Sequence, residues 1–282
     1  MNYRHAFHAG NFADVLKHAV LARIVAYLHR KEAAFRVIDT HAGVGLYDLA
    51  SDEAGRTGEW ETGIARLMAA PAPAAAAELL APYLDIVRAL NPEGLRFYPG
   101  SPLVTRRLLR KQDRLTAIEL HPADATMLKA NFAGDHQVRV IELDGWLALG
   151  AHLPPKEKRG LVLIDPPFEK PDEFDTILKG IAKAHRRWPG GTYAIWYPIK
   201  KTGEVERFRD GLAALAIPNI LDIRLITRAA TLEPRLHGCG MAVINPPFVL
   251  ETEMATLLPY LVETLKLDES AAAGTLWLAG ER

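Results

Sequence analysis

The chain has one cysteine, Cys239, in 282 residues. That excludes an internal disulfide and a cysteine-rich zinc site, and it fits a reducing compartment. Net charge is also missing, since Lys+Arg and Asp+Glu stand at 34 each. The molecule as a whole therefore offers no attraction to a polyanion, and any nucleic-acid contact must come from local patches. No run of about 18 apolar residues occurs, and the stretch from Met1 to Val15 is polar and histidine-bearing with no apolar core. Neither a membrane span nor secretion is expected, which places the protein in the cytoplasm. His5, His8, His18 and His41 make no His-Glu-x-x-His pattern and have no cysteine partner, so no metal site and no metallohydrolase is expected. What remains is ample: hydrophobic residues make up 49% of the chain, enough for one large α/β domain rather than a disordered segment.

The periodicity predicts alternating strands and helices. Asn11 suits a helix N-cap, and Phe12, Val15, Leu16, Ala19, Val20, Ile24, Tyr27 and Leu28 then repeat at helical spacing as one buried stripe, with Asp14, Lys17 and His18 off it. Strands are expected at Phe35–Ile38, Arg114–Leu120, Val138–Leu143, Leu161–Ile164, Gly191–Tyr197, Ile220–Ile226 and Met241–Val249, giving a seven-stranded, mostly parallel sheet whose last pair is antiparallel. A helix from Glu251 to Leu267 covers one face, and the polar end after Asp268 reads as a minor tail. Between Leu49 and Phe97 alanine and proline rise, and Glu119 falls about 80 residues beyond Asp39, where a dinucleotide-type unit needs roughly 20. Residues 49–97 therefore read as an inserted helical subdomain within a domain formed by 1–48 and 98–282. Ser101-Pro102 reads as an N-cap with proline in the first helical position, opening a helix that carries Arg106, Arg107, Arg110 and Lys111 and is followed by Arg114. That basic cluster suits either a solvated face or a phosphate backbone.

The chemistry collects at strand ends. Leu161-Val162-Leu163-Ile164 is a short aliphatic run suited to a strand buried on both faces, and it stops at Asp165-Pro166-Pro167-Phe168. The two prolines leave the sheet in a stiff, extended turn. That turn offers the Asp165 carboxylate and Pro166 carbonyl as acceptors for an exocyclic amino group, and the Phe168 ring as a stacking face. The tetrapeptide resembles the [DNS]-P-P-[YFW] motif of S-adenosylmethionine-dependent methyltransferases that act on amino groups conjugated to a ring or carbonyl. Met241 to Phe248 repeats the shape with Asn245-Pro246-Pro247-Phe248. Only Asp165 has a glycine loop and acidic strand ends upstream at ordinary spacing, so Asn245 is expected to be structural.

Upstream, Asp39-Thr40-His41-Ala42-Gly43-Val44-Gly45 is a loop whose glycines let the backbone approach a ligand. A nicotinamide fingerprint fails here, because position 48 holds Asp48 rather than glycine. Glu119 suits a ribose diol, and Asp144-Gly145 gives an acceptor beside a residue with no side chain to obstruct a flat ring. Each acid alone could be a cap or a surface carboxylate. Three strands ending in Glu119, Asp144 and Asp165 behind a glycine loop point instead to a ligand beyond the carboxyl ends of the sheet. Lys200-Lys201, after the fifth strand, suits a substrate phosphate, and the segment Met1 to Gly10 mixes Tyr3, Arg4, His5, Phe7 and His8 in a way that suits stacking on bases as well as a frayed end.

Taken together, Tyr3-Arg4-His5-x-Phe7-His8-Ala9-Gly10-Asn11, Asp14-x-x-Lys17-His18, His41-Ala42-Gly43, Asp144-Gly145 and Asp165-Pro166-Pro167-Phe168 resemble the large-subunit ribosomal RNA adenine-N6 methyltransferases often called RlmJ. The resemblance covers nearly the whole chain and is weakest across 49–97. It implies a Rossmann-like class I methyltransferase fold with a helical insertion, S-adenosylmethionine as methyl donor, no metal, one adenine of 23S rRNA as substrate, met protein-free or early in particle assembly, and a monomer. It further implies that His18, His41, Ser101, Glu119, Asp144, Gly145 and Asp165 line the cofactor site, with Asp165 also the catalytic acceptor. Tyr3, His5 and Lys17 would face the substrate adenine or its phosphates, beside Pro166 and Phe168. Phe168 departs from the many relatives with tyrosine there: stacking survives, a hydroxyl contact does not. The same tetrapeptide serves DNA adenine and protein glutamine methyltransferases, and a non-catalytic nucleic-acid-binding module is the reading from another class.

Overall fold

A computed structural model describes residues 7–280. Helix α1 (Phe12–Leu28) starts where expected, with the Asn11 side chain accepting from the Ala13 and Asp14 amides. It is not the one-striped helix that its spacing predicts. Asp14, Lys17 and His18 are buried along with the apolar face, because α1 packs on the sheet on one side and is covered by other helices on the other. A helix covered all round has no solvent face on which to leave its polar residues, so they must pair internally.

After α1 come β1 (Arg36–Asp39) and β2 (Leu46–Asp48), then α2 (Asp52–Thr57), a π-helical turn at Glu61–Ala65, α3 (Arg66–Ala69) and α4 (Ala74–Leu90). β3 (Phe97–Pro99) pairs antiparallel with β2 and brings the chain back. Leu80, Tyr83, Leu84 and Val87 of α4 belong to the same hydrophobic core as α1. At roughly 1.5–3 kcal/mol for each large apolar side chain buried, this contact holds the intervening helices against α1, which itself lies on the main sheet.

The remainder alternates: α5 (Ser101–Leu108), β4 (Arg114–Glu119), α6 (Pro122–Asn131), β5 (Val138–Glu142), α7 (Gly145–Ala151), β6 (Gly160–Ile164), α8 (Glu173–Arg187), β7 (Thr192–Ile199), α9 (Thr202–Ala214), β8 (Ile220–Ile226), β9 (Gly238–Ile244), α10 (Leu250–Leu265) and β10 (Ala272–Ala279). The main sheet has the order β10-β8-β9-β7-β6-β1-β4-β5. The run from β7 to β5 is parallel, and β9 runs antiparallel to both β7 and β8. This is the expected α/β, Rossmann-like arrangement, with one correction. The sheet has eight strands rather than seven, because Ala272–Ala279 is no tail and pairs antiparallel with β8. The polar residues Asp268 to Ser270 that suggested a tail form only the turn before it, and the strand itself is uncharged.

A hydrophobic layer fills each face. One gathers α1, α4 and α10, and the other α7, α8 and α9. Among the described residues no helix is long and apolar enough to cross a membrane.

Candidate active site

Because β1, β4, β5 and β6 are parallel, Asp39, Glu119, Asp144 and Asp165 leave the sheet at the same edge. A cavity of about 280 Å³ opens there, near the lower end of what small-ligand clefts enclose. Of the residues singled out in the sequence, Lys17, His41, Ser101, Glu119, Asp144, Gly145, Asp165 and Pro166 line it. Two do not. His18 is fully buried, with Nδ1 2.7 Å from the Tyr98 hydroxyl and its ring stacked on Tyr98, so it points to α4 and β3 behind the cavity wall. Phe168 has φ +51°, and this left-handed turn sends its ring to Phe174 and Trp196 at centroid distances of 5.1 and 5.8 Å. Phe168 is half-buried there and meets both rings in edge-on contacts. Tyr3 and His5 lie outside the described residues.

Asp165 does not stand alone. Lys17 Nζ donates to its Oδ2 at 2.5 Å and lies 2.8 Å from Asp14 Oδ1, with both Lys17 and Asp14 almost wholly buried. Burial opposes the ammonium charge, but the two carboxylates outweigh it and hold the Lys17 pKa well above its ordinary value. The lysine is a fixed cation, leaving Asp165 Oδ1 to face other groups.

Glu119 is held by the backbone. Oε2 accepts from the Gly43 amide and Oε1 from the His121 amide, each at 2.8 Å. Burial raises its pKa against those two bonds, and each oxygen keeps a lone pair for a diol hydroxyl. Gly43, at φ +61°, supplies the turn that aims its amide at the carboxylate. Asp144 accepts from the Trp146 amide at 2.7 Å and caps α7. A Cβ on Gly145 would lie 2.3 Å from the Thr40 carbonyl oxygen and 3.0 Å from the His41 ring, so only glycine lets α7 sit against the β1 loop.

His41 Nδ1 lies 2.8 Å from the Thr40 hydroxyl oxygen, which is also 3.0 Å from the Leu163 carbonyl oxygen. Burial pushes the His41 pKa down to about 4, against the pull of the Asp165 and Asp144 carboxylates, so the ring is neutral at neutral pH.

Ser101 corrects its sequence reading. Gly100 takes the cap position of α5, and the Ser101 hydroxyl instead donates to Asp39 Oδ2 at 2.6 Å. Asp39 is a site-supporting residue that strand-end reasoning passed over. It is fully buried, and burial, opposed mainly by the Ser101 bond, raises its pKa to about 7. Tyr47, Asp124 and Trp146 also line the cavity; nothing in their spacing marks them.

The competing motif sits elsewhere. Since β9 runs antiparallel to β7, with Ile244 opposite Tyr193, Asn245 emerges at the far edge of the sheet. Its side chain donates to the Pro189 and Gly191 carbonyls at 2.7 and 2.9 Å, a bracket across the start of β7. The basic cluster is likewise largely spent internally: Arg106 pairs with Asp135, and Arg110 with Asp113. Lys201 pairs with Glu204, and Lys200 is exposed.

The cavity is acidic. Glu119, Asp124, Asp144, Asp165, Glu169 and Glu173 line it against Lys17 and Lys170, a balance that suits a ligand bearing positive charge. Among the described residues no three His, Cys, Asp or Glu side chains are grouped to hold a metal ion.

Comparison with known proteins is consistent along the chain. The family model described as "Ribosomal RNA large subunit methyltransferase D, RlmJ" matches residues 32–279. The chain is 45% identical to ribosomal RNA large subunit methyltransferase J of Haemophilus influenzae and 43% identical to that of Escherichia coli, over 100% of each chain in both cases. Among solved structures, the Legionella pneumophila protein LPL1258 is similar with TM-score 0.86 and 33% identity, covering 96% of this chain and 98% of that one.

Proposed function

The chain belongs to the ribosomal RNA large subunit methyltransferase J family, and we propose that it methylates the N6 amino group of one adenine in 23S rRNA, with S-adenosylmethionine as donor. The observation that carries this reading is Asp165-Pro166-Pro167 at the end of β6, in one cavity with Glu119, Asp144 and neutral His41.

The residues fit that donor. Its ribose diol suits the two amide-held oxygens of Glu119, and its positive sulfonium and ammonium suit the acidic lining. Gly145 leaves room for a flat ring beside Asp144, and neutral His41 adds no competing charge. When bound, S-adenosylmethionine supplies an electrophilic methyl whose leaving group is a neutral thioether.

The protein's task is then to prepare the amine. The N6 lone pair is delocalised into the adenine ring and must be localised before it can attack. Asp165 Oδ1 and the Pro166 carbonyl would accept the two N–H hydrogens, drawing the nitrogen toward sp3 geometry and holding it in place for attack. Lys17, bound to Oδ2, keeps the carboxylate oriented and its charge compensated. As the bond forms, the amine proton is released to Asp165 Oδ1. Tyr3 and His5, carried over from the family resemblance, contact the base or its phosphates. Residues 49–97 are read as an insertion into the methyltransferase domain, and the enzyme as acting as a monomer on protein-free or early-assembly rRNA.

The test is transfer of labelled methyl from S-adenosylmethionine to protein-free 23S rRNA beside duplex DNA, followed by nucleoside analysis, with Asp165→Ala as control. Label in N6-methyladenosine of RNA, abolished in the variant, is the expected result. Label in DNA alone transfers the reading to a DNA adenine methyltransferase, and undiminished transfer by Asp165→Ala removes Asp165 from the chemistry.

A further inference from the structure

The segment entering α1 is gripped by the inserted helices. Glu59 Oε2 accepts from His8 Nδ1 at 3.0 Å and from Asn11 Nδ2 at 2.9 Å. Burial works against the Glu59 charge, but these two bonds outweigh it and lower its pKa. Thr57 Oγ1 donates to the Phe7 carbonyl. The Gly10 carbonyl accepts from the Ile64 amide at 2.8 Å, and the Gly10 amide donates to Asp14 Oδ2 at 2.9 Å. Gly10 is thus held on both sides, by the insertion on its carbonyl oxygen and by α1 on its amide nitrogen.

The local backbone of the insertion is shaped for that grip. Glu61–Ala65 forms a π-helical turn, with Gly63 at φ −104° and ψ −107°, outside helical space. Such turns cost regular hydrogen bonding and concentrate where a function repays them. Here the irregularity brings Gly63 so close to the segment entering α1 that a Cβ would lie 2.1 Å from the Gly10 carbonyl oxygen. The contacts then continue without a break to the reaction centre: Ile64 to Gly10, Gly10 to Asp14, Asp14 to Lys17, and Lys17 to Asp165.

We propose that the inserted helices are a seat for the N-terminal segment that sets the Asp14–Lys17–Asp165 array, which makes Glu59 and Gly63 positioning residues for methyl transfer. The proposal rests on Asp165 being the acceptor of the N6 protons. It also gives the insertion a role within catalysis: residues far from the methyl decide where the acceptor oxygen stands.

The test compares the full-length protein with Glu59→Ala, Glu59→Gln and Gly63→Ala. Measurements are steady-state transfer to 23S rRNA, calorimetric binding of S-adenosylmethionine, and hydrogen exchange of the peptide spanning 7–17. Since one oxygen of Glu59 makes both bonds, glutamine can replace it and alanine cannot. Glu59→Ala is expected to lower kcat on the order of tenfold, as a sub-ångström to ångström shift of a reacting group does. Cofactor affinity stays within about twofold, exchange at 7–17 rises, and Glu59→Gln restores kcat. Gly63→Ala, which displaces the Gly10 peptide, should act in the same direction. Wild-type kcat and exchange in Glu59→Ala overturn the proposal. So does a joint loss of kcat, cofactor affinity and thermal stability that glutamine does not restore, since that marks a purely structural contact. Full turnover by Asp165→Ala instead defeats the functional reading, while the exchange contrast still decides whether the seat exists.

Discussion

Replacing Lys17 with methionine tests the electrostatics of the site most directly. Its ammonium lies 2.5 Å from one Asp165 oxygen and 2.8 Å from one Asp14 oxygen. At an effective dielectric near 20, each contact is worth about 6 kcal/mol gross, most of which offsets the cost of desolvating three charged groups. Methionine keeps the length and apolar stem of the side chain but leaves two carboxylates facing one another without a cation. Breaking a buried pair in this way costs about 3–5 kcal/mol. Urea denaturation at pH 7 should therefore show Lys17→Met less stable by that amount. The deficit should shrink as the pH falls through the carboxylate range, because protonation removes the uncompensated charges. Lys17→Met combined with Asp14→Asn should recover a good part of it, by removing one of the two orphaned charges. In the wild-type protein the raised Lys17 pKa contributes stability that is complete below the ordinary lysine value and is lost as the pH rises through the folded one, so alkaline destabilisation should be steeper in wild type than in the variant. A deficit below about 1 kcal/mol at pH 7, or none recovered by Asp14→Asn, would refute the buried triad as the organising charge cluster.

Two further outcomes follow from the geometry. Asp39, with its pKa raised to about 7, binds its proton more tightly folded than unfolded. Its contribution to stability is thus greatest at low pH and is lost between about pH 4 and 7, by up to about 4 kcal/mol; Asp39→Asn should flatten the pH dependence of the melting temperature over that window, and an unchanged slope would exclude Asp39 as its source. Asn245→Ala removes two bonds to the Pro189 and Gly191 carbonyls just ahead of β7 at a left-handed residue, so it should cost about 2–3 kcal/mol of stability while kcat of the folded fraction stays at the wild-type value; a selective fall in kcat would place Asn245 in the chemistry.

The sequence alone determined the fold class and marked Glu119, Asp144 and Asp165, which the structure brings to one cavity. An aliphatic run of four residues stopped by Asp165-Pro166-Pro167 suits a buried strand that ends in a stiff turn, and acids at the ends of parallel strands must share an edge. The Asn11 cap and the strand positions followed from local rules that act within a few residues. The tertiary structure decided what depends on partners distant in the chain. Covering helices bury the polar side of α1, and so Lys17 became an internal cation between Asp14 and Asp165. His18 went behind the wall because Tyr98 was there to bond it, and Ser101 turned from capping its helix to Asp39. Phe168 folded onto Phe174 and Trp196 through a left-handed backbone that its residue type does not advertise. The two Pro-Pro motifs are near twins in sequence, and what separates them physically is strand direction: β6 runs parallel to its neighbours and delivers Asp165 to the cavity, while β9 runs antiparallel and delivers Asn245 to the opposite edge. β10 was hidden for a related reason, since an edge strand is specified by the neighbour that it pairs with more than by its own residues.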